Sequence, residues 1–285
     1  MADTVFFVTK ASGKQEAFDL GKLQHSLKRA GAPPSAMPEI EEAVQKMLYP
    51  GISTREIYRK AFSLLRKASP HMAARYKLKK AIMELGPSGF PFEKYVGKLL
   101  DFEGYDTQVG KIVQGHCVPH EIDVIALKDE QHFMIECKYH SEQNRKCDVK
   151  IPLYIHARFL DVEKMWQQRP GHDHKFHQGW IVTNTRFTDA AIQYGNCAGL
   201  RLISWNYPRK ESLKKRIDRS GLHPLTCLTT LTKKEKQQLL DQGLVLCREL
   251  HRDLNQLRSV GVSEARLKKV EQEVRLLCEP ESPIL

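Results

Sequence analysis

Polar and apolar residues alternate with a period of two through the middle of the chain. Ile122, Val124 and Ala126 take every second position, and so do Phe133, Ile135 and Cys137, with polar or charged residues between many of them. This spacing predicts strands over about 107–115, 120–127 and 131–138, each with one face turned inward. Elsewhere the period is helical. Tyr95, Val96, Leu99 and Leu100 fall on one face of a helix from Phe92 to Phe102, and another helix is expected over 150–167. Trp180-Ile181-Val182-Thr183 reads as a short buried strand, 187–197 as a helix and Leu200-Arg201-Leu202-Ile203 as a last strand. Strands and helices alternating in this way predict an α/β domain on a mixed sheet.

The segments on either side read differently. Val5-Phe6-Phe7-Val8, a turn at Ala11-Ser12-Gly13-Lys14 and Glu16-Ala17-Phe18 form a hairpin pattern. Asp19 then caps a helix with Leu20, Leu23, Leu27 and Ala30 at helical spacing. Amphipathic helices are expected at about 36–48, 54–68 and 71–85. Gly86-Pro87-Ser88-Gly89-Phe90-Pro91 cannot continue a helix and marks a boundary. From Pro208 the chain is helical, with a loose internal repeat around Gly243 and Gly261. The expected organisation is therefore a mostly helical domain with a β-hairpin at 1–87, an α/β domain at 88–208 and a helical tail at 209–285.

Charge separates the same three parts. The chain of 285 residues has a formal net charge of +11. Residues 1–87 hold fifteen basic against eight acidic side chains, residues 88–208 hold fourteen against fifteen, and residues 209–285 hold sixteen against eleven. Basic ends around a neutral middle point to a polyanionic partner, against the alternative that surface lysines only keep the protein in solution. No apolar run approaches the roughly 18 residues of a membrane span, and no signal peptide opens the chain, so a cytoplasmic protein with no membrane partner is expected. The seven cysteines are irregularly spaced, without a Cys-x-x-Cys pair, which gives no disulfide framework or zinc ribbon. His116, Cys117 and His120, and His172, His174 and His177, lack a four-ligand spacing and read as loop or DNA-facing residues.

Candidate chemistry lies in Pro119-His120-Glu121-Ile122-Asp123-Val124 and in Phe133-Met134-Ile135-Glu136-Cys137-Lys138. A period of two puts Glu121 with Asp123, and Glu136 with Lys138, on one strand face each. If the two strands are neighbours, three carboxylates and an ammonium converge. Gathered carboxylates are costly without a cation, and oxygen ligands suit Mg²⁺ or Mn²⁺. Such an ion polarises a phosphodiester and helps deprotonate water, while Lys138 orients that water or neutralises the charge on the phosphorane. The alternative is that Asp123, Glu136 and Lys138 are solvated residues on the outer face of an amphipathic sheet.

These residues resemble the Mrr-like and Holliday-junction-resolvase-like branches of the PD-(D/E)XK nucleases. The match runs over about 88–207: Glu93 within Phe92-Glu93-Lys94-Tyr95-Val96, the Gly104-Tyr105 turn, the core of Asp123, Glu136 and Lys138, and Ile181-Val182-Thr183-Asn184-Thr185-Arg186-Phe187-Thr188 followed by Ala190-Ala191. The resemblance implies a restriction-endonuclease-like fold, with Asp123, Glu136, Lys138 and Glu93 catalytic and a metal on Asp123 and Glu136. Glu121, which many members of those branches lack, is a further candidate ligand. Residues 4–86 resemble the ATP-cone module at the front of ribonucleotide reductases, carried by Lys10, Gly13-Lys14, Phe18-Asp19, Lys22 and the later Ala74-Arg75-Tyr76. That resemblance implies binding of ATP or dATP without hydrolysis. Lys10, Lys14 and Lys22 would meet the phosphates, Gly13 would let the backbone approach, and Phe18 or Tyr76 would stack on the base. The alternative is a helical docking domain with solvent-facing lysines. No Gly-x-x-x-x-Gly-Lys loop is present. The tail is similar to helix-hairpin-helix modules, without their Gly-x-Gly turn; the alternative is a helical docking or dimerisation tail.

The expected function is a metal-dependent endonuclease cleaving DNA, regulated by ATP or dATP, assembled as a homo-oligomer and serving restriction or anti-phage defence. The competing expectation is a nucleotide-responsive DNA-binding regulator with an inactive nuclease fold.

Overall fold

The structure, a computed structural model, describes residues 6–10, 12–170 and 177–278. His172 and His174 lie outside the described residues. The chain divides into two compact units: Met1–Ala81 with Leu225–Asp241 and Cys247–Leu285, and Ile82–Pro224 with Gln242–Leu246.

In the first unit, strands β1 (Phe7–Thr9) and β2 (Gln15–Ala17) pair antiparallel across a turn in which Gly13 takes φ +80°. Helices α1 (Leu20–Arg29), α2 (Met37–Gln45), α3 (Thr54–Ala68) and α4 (Pro70–Tyr76) follow. Asp19 is the N-cap the sequence indicates, its side chain accepting from Lys22 N at 3.2 Å. At α3 the cap is reciprocal, with Ser53 and Glu56 each satisfying the other's backbone N–H. The helix expected over 71–85 is two helices, α4 and α5 (Leu78–Ile82), with a turn at Lys77 between them. Val8, Leu23, Leu27, Ile40, Val44, Ile57, Ala61 and Leu65 make a common core.

The end of the chain belongs largely to this unit, where the reading above set 209–285 apart. Helices α10 (Lys233–Asp241), α11 (Cys247–Arg252), α12 (Asn255–Ser259) and α13 (Glu264–Cys278) are numbered after those of the second unit. Buried Lys77 donates its ammonium to Thr226 O at 2.8 Å, and Thr226 Oγ1 donates to Ala81 O at 2.7 Å. Glu273, almost wholly buried, accepts from Thr229 N, Thr229 Oγ1, Thr230 N and Thr230 Oγ1 at 2.8, 2.7, 2.9 and 2.5 Å. Four donors are what a buried carboxylate needs to remain charged. Hydropathy periodicity cannot reveal such a long-range lock, because its two sides are 44 residues apart. Gly261, in this unit, and Gly243, in the second, take positive φ, +81° and +83°.

The second unit is the mixed α/β domain that the alternation predicts. Helix α6 (Phe90–Phe102) leads into β3 (Asp106–Gln114), β4 (Pro119–Lys128) and β5 (Gln131–Lys138). After β6 (Lys146–Cys147) come α7 (Lys150–Gln167), β7 (His177–Thr183), β8 (Arg186–Phe187), α8 (Asp189–Cys197), β9 (Arg201–Ile203) and α9 (Leu213–Ser220). The five-stranded sheet runs β3-β4-β5-β7-β9, with β3, β4 and β5 antiparallel and β5, β7 and β9 parallel. The parallel half follows from its crossovers: α7 joins β5 to β7, and α8 joins β7 to β9. Met134 and Ile181 share a core with Ile155, Phe159 and Val162 of α7 and with Ala191 of α8. Helix α6 packs on β3, β4 and β5, closely enough that a Cβ on Gly97 would stand 2.9 Å from Val109 Cγ2. The two-residue pair β6 and β8 is too short to leave a periodic signal.

Candidate active site

The site forms where an apolar strand face turns polar. On β5 the residues of one pleat face are Met134, Glu136 and Lys138; on β4 they are Ile125, Asp123 and Glu121. Val124 pairs with Ile135 and Ile125 with Met134, so the next step of the register sets Asp123 opposite Glu136. Met134 and Ile125 pack toward α7, and the carboxylates follow on the same face beyond them. Asp123 Oδ2 accepts from Cys137 N at 2.6 Å, which fixes its side chain across the strand pair.

Glu136 is buried, with 4% of its surface exposed, and both its oxygens are engaged. Lys138 Nζ meets Oε1 at 2.5 Å and Arg158 of α7 meets Oε2 at 2.7 Å. Arg158 also donates to the Glu121 backbone carbonyl, and its Nε lies 3.5 Å from His120 Nδ1. His120 Nε2 in turn stands 2.7 Å from Asp161 Oδ2. Asp161 is anchored by Cys117 N at 2.7 Å and Val118 N at 3.3 Å. The contact with His120, then those backbone donors, hold its carboxyl well below the usual carboxylate range. Arg158 and Asp161 are three apart on α7 and so share a face. The sequence reading missed both. Their signal is an Arg and an Asp at helical spacing beside the inward residues Ile155, Phe159 and Val162.

Glu93 enters from the first turn of α6 and is half-buried. Burial, then repulsion from Asp123, Glu121 and Glu136, pushes its carboxyl up to about 7, against the pull of Lys138. Burial and Glu136 likewise raise Asp123 to about 6, although the Cys137 N–H, Lys138 and Arg158 oppose the rise. Glu121 is exposed and acts on Glu93 through its charge. The structure thus brings Asp123, Glu136 and Lys138 together, with Glu93 and Glu121 close enough to interact electrostatically. Burial and mutual repulsion hold these carboxyls above their normal range, and a hard divalent cation would offset that charge. The oxygen donors therefore fit such an ion, while among the described residues no group of three or more His, Cys, Asp or Glu is arranged to hold one. Lys138 and Arg158 take up Glu136 instead.

The residues assigned to a nucleotide lie in the first unit. Lys10 and Lys22 both reach Glu16, at 2.5 and 3.4 Å, so they do share one place. Lys14 and Gly13 are exposed in the hairpin turn. Phe18 packs against the core, and Tyr76 is stacked on Tyr58 with ring centroids 5.1 Å apart. One face of the Tyr76 ring is therefore already covered. Burial pushes the Tyr76 phenol up to about 12. Of the histidine groups, His116 and Cys117 are exposed, whereas His177 is buried, its ring 5.3 Å from Trp166. All seven cysteines are free thiols. No helix among the described residues is long and apolar enough to cross a membrane.

A mixed sheet that presents Asp, Glu and Lys on adjacent strands, beside a helix carrying a further Glu, defines a restriction-endonuclease-like domain. Residues 86–206 match the Mrr_cat family, described as restriction endonuclease. Residues 223–278 match the AF1548-like C-terminal family. An uncharacterized protein of Archaeoglobus fulgidus is 38% identical over 181 residues, which are 63% of this chain and 98% of that protein. The crystal structure of a protein of unknown function, AF1548, superimposes with a TM-score of 0.55 at 37% identity, covering 66% of this chain and 97% of the other. The chain belongs to the AF1548-like family and carries an Mrr-type restriction endonuclease domain. Neither family match extends over residues 1–85.

Proposed function

We propose that the protein is an endonuclease that hydrolyses DNA phosphodiesters with a divalent cation, and that Asp123, Glu136, Lys138 and Glu93 do the chemistry. The observation that carries this reading is the meeting of Asp123, Glu136 and Lys138 on one sheet face inside an Mrr-type domain. Asp123 and Glu136 would hold Mg²⁺ or Mn²⁺, with Glu121 as a further oxygen donor. A bound ion would polarise the scissile phosphate and lower the pKa of the attacking water. Lys138, 28% exposed at its side chain, can turn from Glu136 toward a phosphate oxygen and offset the charge that develops there. Glu93 stands at the edge of the carboxylate group with a proton affinity near neutrality, suited to taking a proton from water. Cleavage of foreign DNA is the role such an activity fits.

The test is cleavage of plasmid DNA in Mg²⁺, in Mn²⁺ and in EDTA. Nicking or linearisation that needs either metal and stops in EDTA is expected. DNA binding with no cleavage in either metal would assign the protein to the regulator class instead.

The finer proposal for the first unit is that ATP or dATP binds at the hairpin and adjusts nuclease output through assembly. Supporting it are the open Gly13 turn and the approach of Lys10 and Lys22 to a single carboxylate, Glu16, which phosphates would displace. Lys22→Ala should weaken nucleotide binding about tenfold, the usual scale for a charge-assisted contact. Calorimetry with ATP and dATP measures this, and no binding by wild type at millimolar nucleotide rejects the site.

A further inference from the structure

At the other end of the endonuclease domain lies a cavity of about 390 Å³. It is walled by the C-terminal end of α6, by the last residue of β4 (Lys128), by the first residue of β9 (Arg201), and by α9 with the Glu211 that precedes it. Four cations face two carboxylates there. Both carboxylates meet arginines of α9, although Glu103 Oε1 is buried without a hydrogen bond, 3.6 Å from Arg219. Buried Arg216 pairs with Glu103, and Arg219 forms a two-pronged contact with Glu211 at 3.1 and 3.2 Å.

The other two cations have no carboxylate. Lys128 donates to the Glu103 backbone carbonyl at 2.7 Å and lies over the Tyr105 ring at 4.8 Å. The Arg201 guanidinium stacks 4.5 Å from the centroid of the buried Trp180 ring and forms no ion pair with any described residue. Burial, then the neighbouring Arg216 charge, lowers its pKa, against the opposing pull of Tyr105, Glu211 and Glu103. A half-buried guanidinium among other cations is stable only to the extent that something anionic reaches it.

We propose that this cavity is a binding site for a phosphate dianion, with Arg201 and Lys128 as its anchors. The surplus of two positive charges matches the charge of about −1.5 to −2 on a phosphomonoester near neutral pH. The planar guanidinium, held over the Trp180 ring, carries N–H groups in a fork suited to phosphate oxygens. The volume falls in the class that encloses a small ligand, about 300–1,000 Å³, so a nucleoside attached to the phosphate can be accommodated. The site is separate from the carboxylate group. Lys128 is five residues beyond Asp123 on β4, about 17 Å along a strand, and Glu103 is ten residues beyond Glu93, about 15 Å along a helix. The phosphate can come from a free mononucleotide or from the 5′ end of a nucleic-acid strand.

The experiment uses the full chain in EDTA, which makes its outcome independent of metal binding and cleavage. Calorimetry measures inorganic phosphate and AMP. Fluorescence anisotropy measures a short DNA duplex with and without a 5′-phosphate. Arg201→Gln and Lys128→Gln are compared with wild type, and Lys22→Ala serves as the control for the hairpin. Each of the first two substitutions is expected to weaken binding about tenfold. Loss for phosphate and AMP identifies a free ligand, and loss confined to the duplex identifies a strand phosphate. Affinities unchanged within about twofold in both variants would overturn the proposal. So would AMP binding that is lost only in Lys22→Ala, or no binding of phosphate, AMP or duplex by wild type at millimolar concentration.

Discussion

Asp123→Asn and Glu136→Gln are each expected to reduce DNA cleavage by about 10³-fold or more, and Lys138→Ala by about 10²- to 10³-fold. A reaction at phosphorus gathers negative charge, and in the proposed mechanism these groups would hold a cation or act as one. The stability changes should separate chemistry from folding. Asp123 and Glu136 face each other across two strands, and the Asp123 carboxyl is raised to about 6 by burial and by that neighbour. Removing the Asp123 charge relieves repulsion, while the asparagine oxygen can still accept from Cys137 N. Asp123→Asn should therefore melt at the same temperature as wild type or higher, even as cleavage is lost. A residue kept for function at the expense of stability behaves in this way. Undiminished cleavage in both carboxylate variants would remove the site from Asp123 and Glu136. Loss of activity accompanied by a large fall in melting temperature would mark Asp123 as structural.

Much of the site was legible because strands impose a strict period. Glu136 and Lys138 are two apart with Cys137 between them, and the neighbouring apolar positions fix which face they occupy. Glu93 was legible only through the family resemblance, as the acidic residue of the helix before the strands; the structure places it in the first turn of α6. Arg158 was not. It sits on α7, and its partner Glu136 is 22 residues away on another element. Only the crossover that lays α7 on β5 and β7 brings them together. His120 was noticed as one of several histidines, but its role depends on Asp161, 41 residues distant. Arg201 read as one residue of the last strand, and the Trp180 ring it lies over belongs to the neighbouring strand. The tail read as a separate helical segment because the Lys77, Thr226 and Glu273 contacts that fasten it leave no local pattern. Periodicity gives the facing of each element, and long-range polar pairing needs the assembled fold.

Arg158→Ala should destabilise the endonuclease domain by about 3–5 kcal/mol, the scale for removing one partner of a buried ion pair. Glu136 and Arg158 are 5% and 13% exposed at their side chains, so water replaces the lost partner poorly. The same substitution should increase the stabilisation that Mg²⁺ or Mn²⁺ provides. If Glu136 holds the ion as proposed, a divalent ion entering wild type would compete with Arg158 for Glu136 Oε2, and its binding free energy would be reduced by the contact it breaks. In Arg158→Ala that oxygen is free, so the metal-dependent rise in melting temperature should exceed that of wild type. Arg158→Lys keeps a cation but loses the fork that also reaches the Glu121 carbonyl, and should fall between the two. Asp161→Asn removes the anchor of His120, which leans on Arg158, and should shift the metal response in the same direction by a smaller amount. Thermal melts of the four proteins across a metal titration, with EDTA as the baseline, measure all of this without reference to cleavage. An equal metal-dependent rise in wild type and Arg158→Ala would mean that Glu136 is not the group the ion seeks. A wild type that gains more than the variant would make Arg158 a support of the metal site and not its competitor.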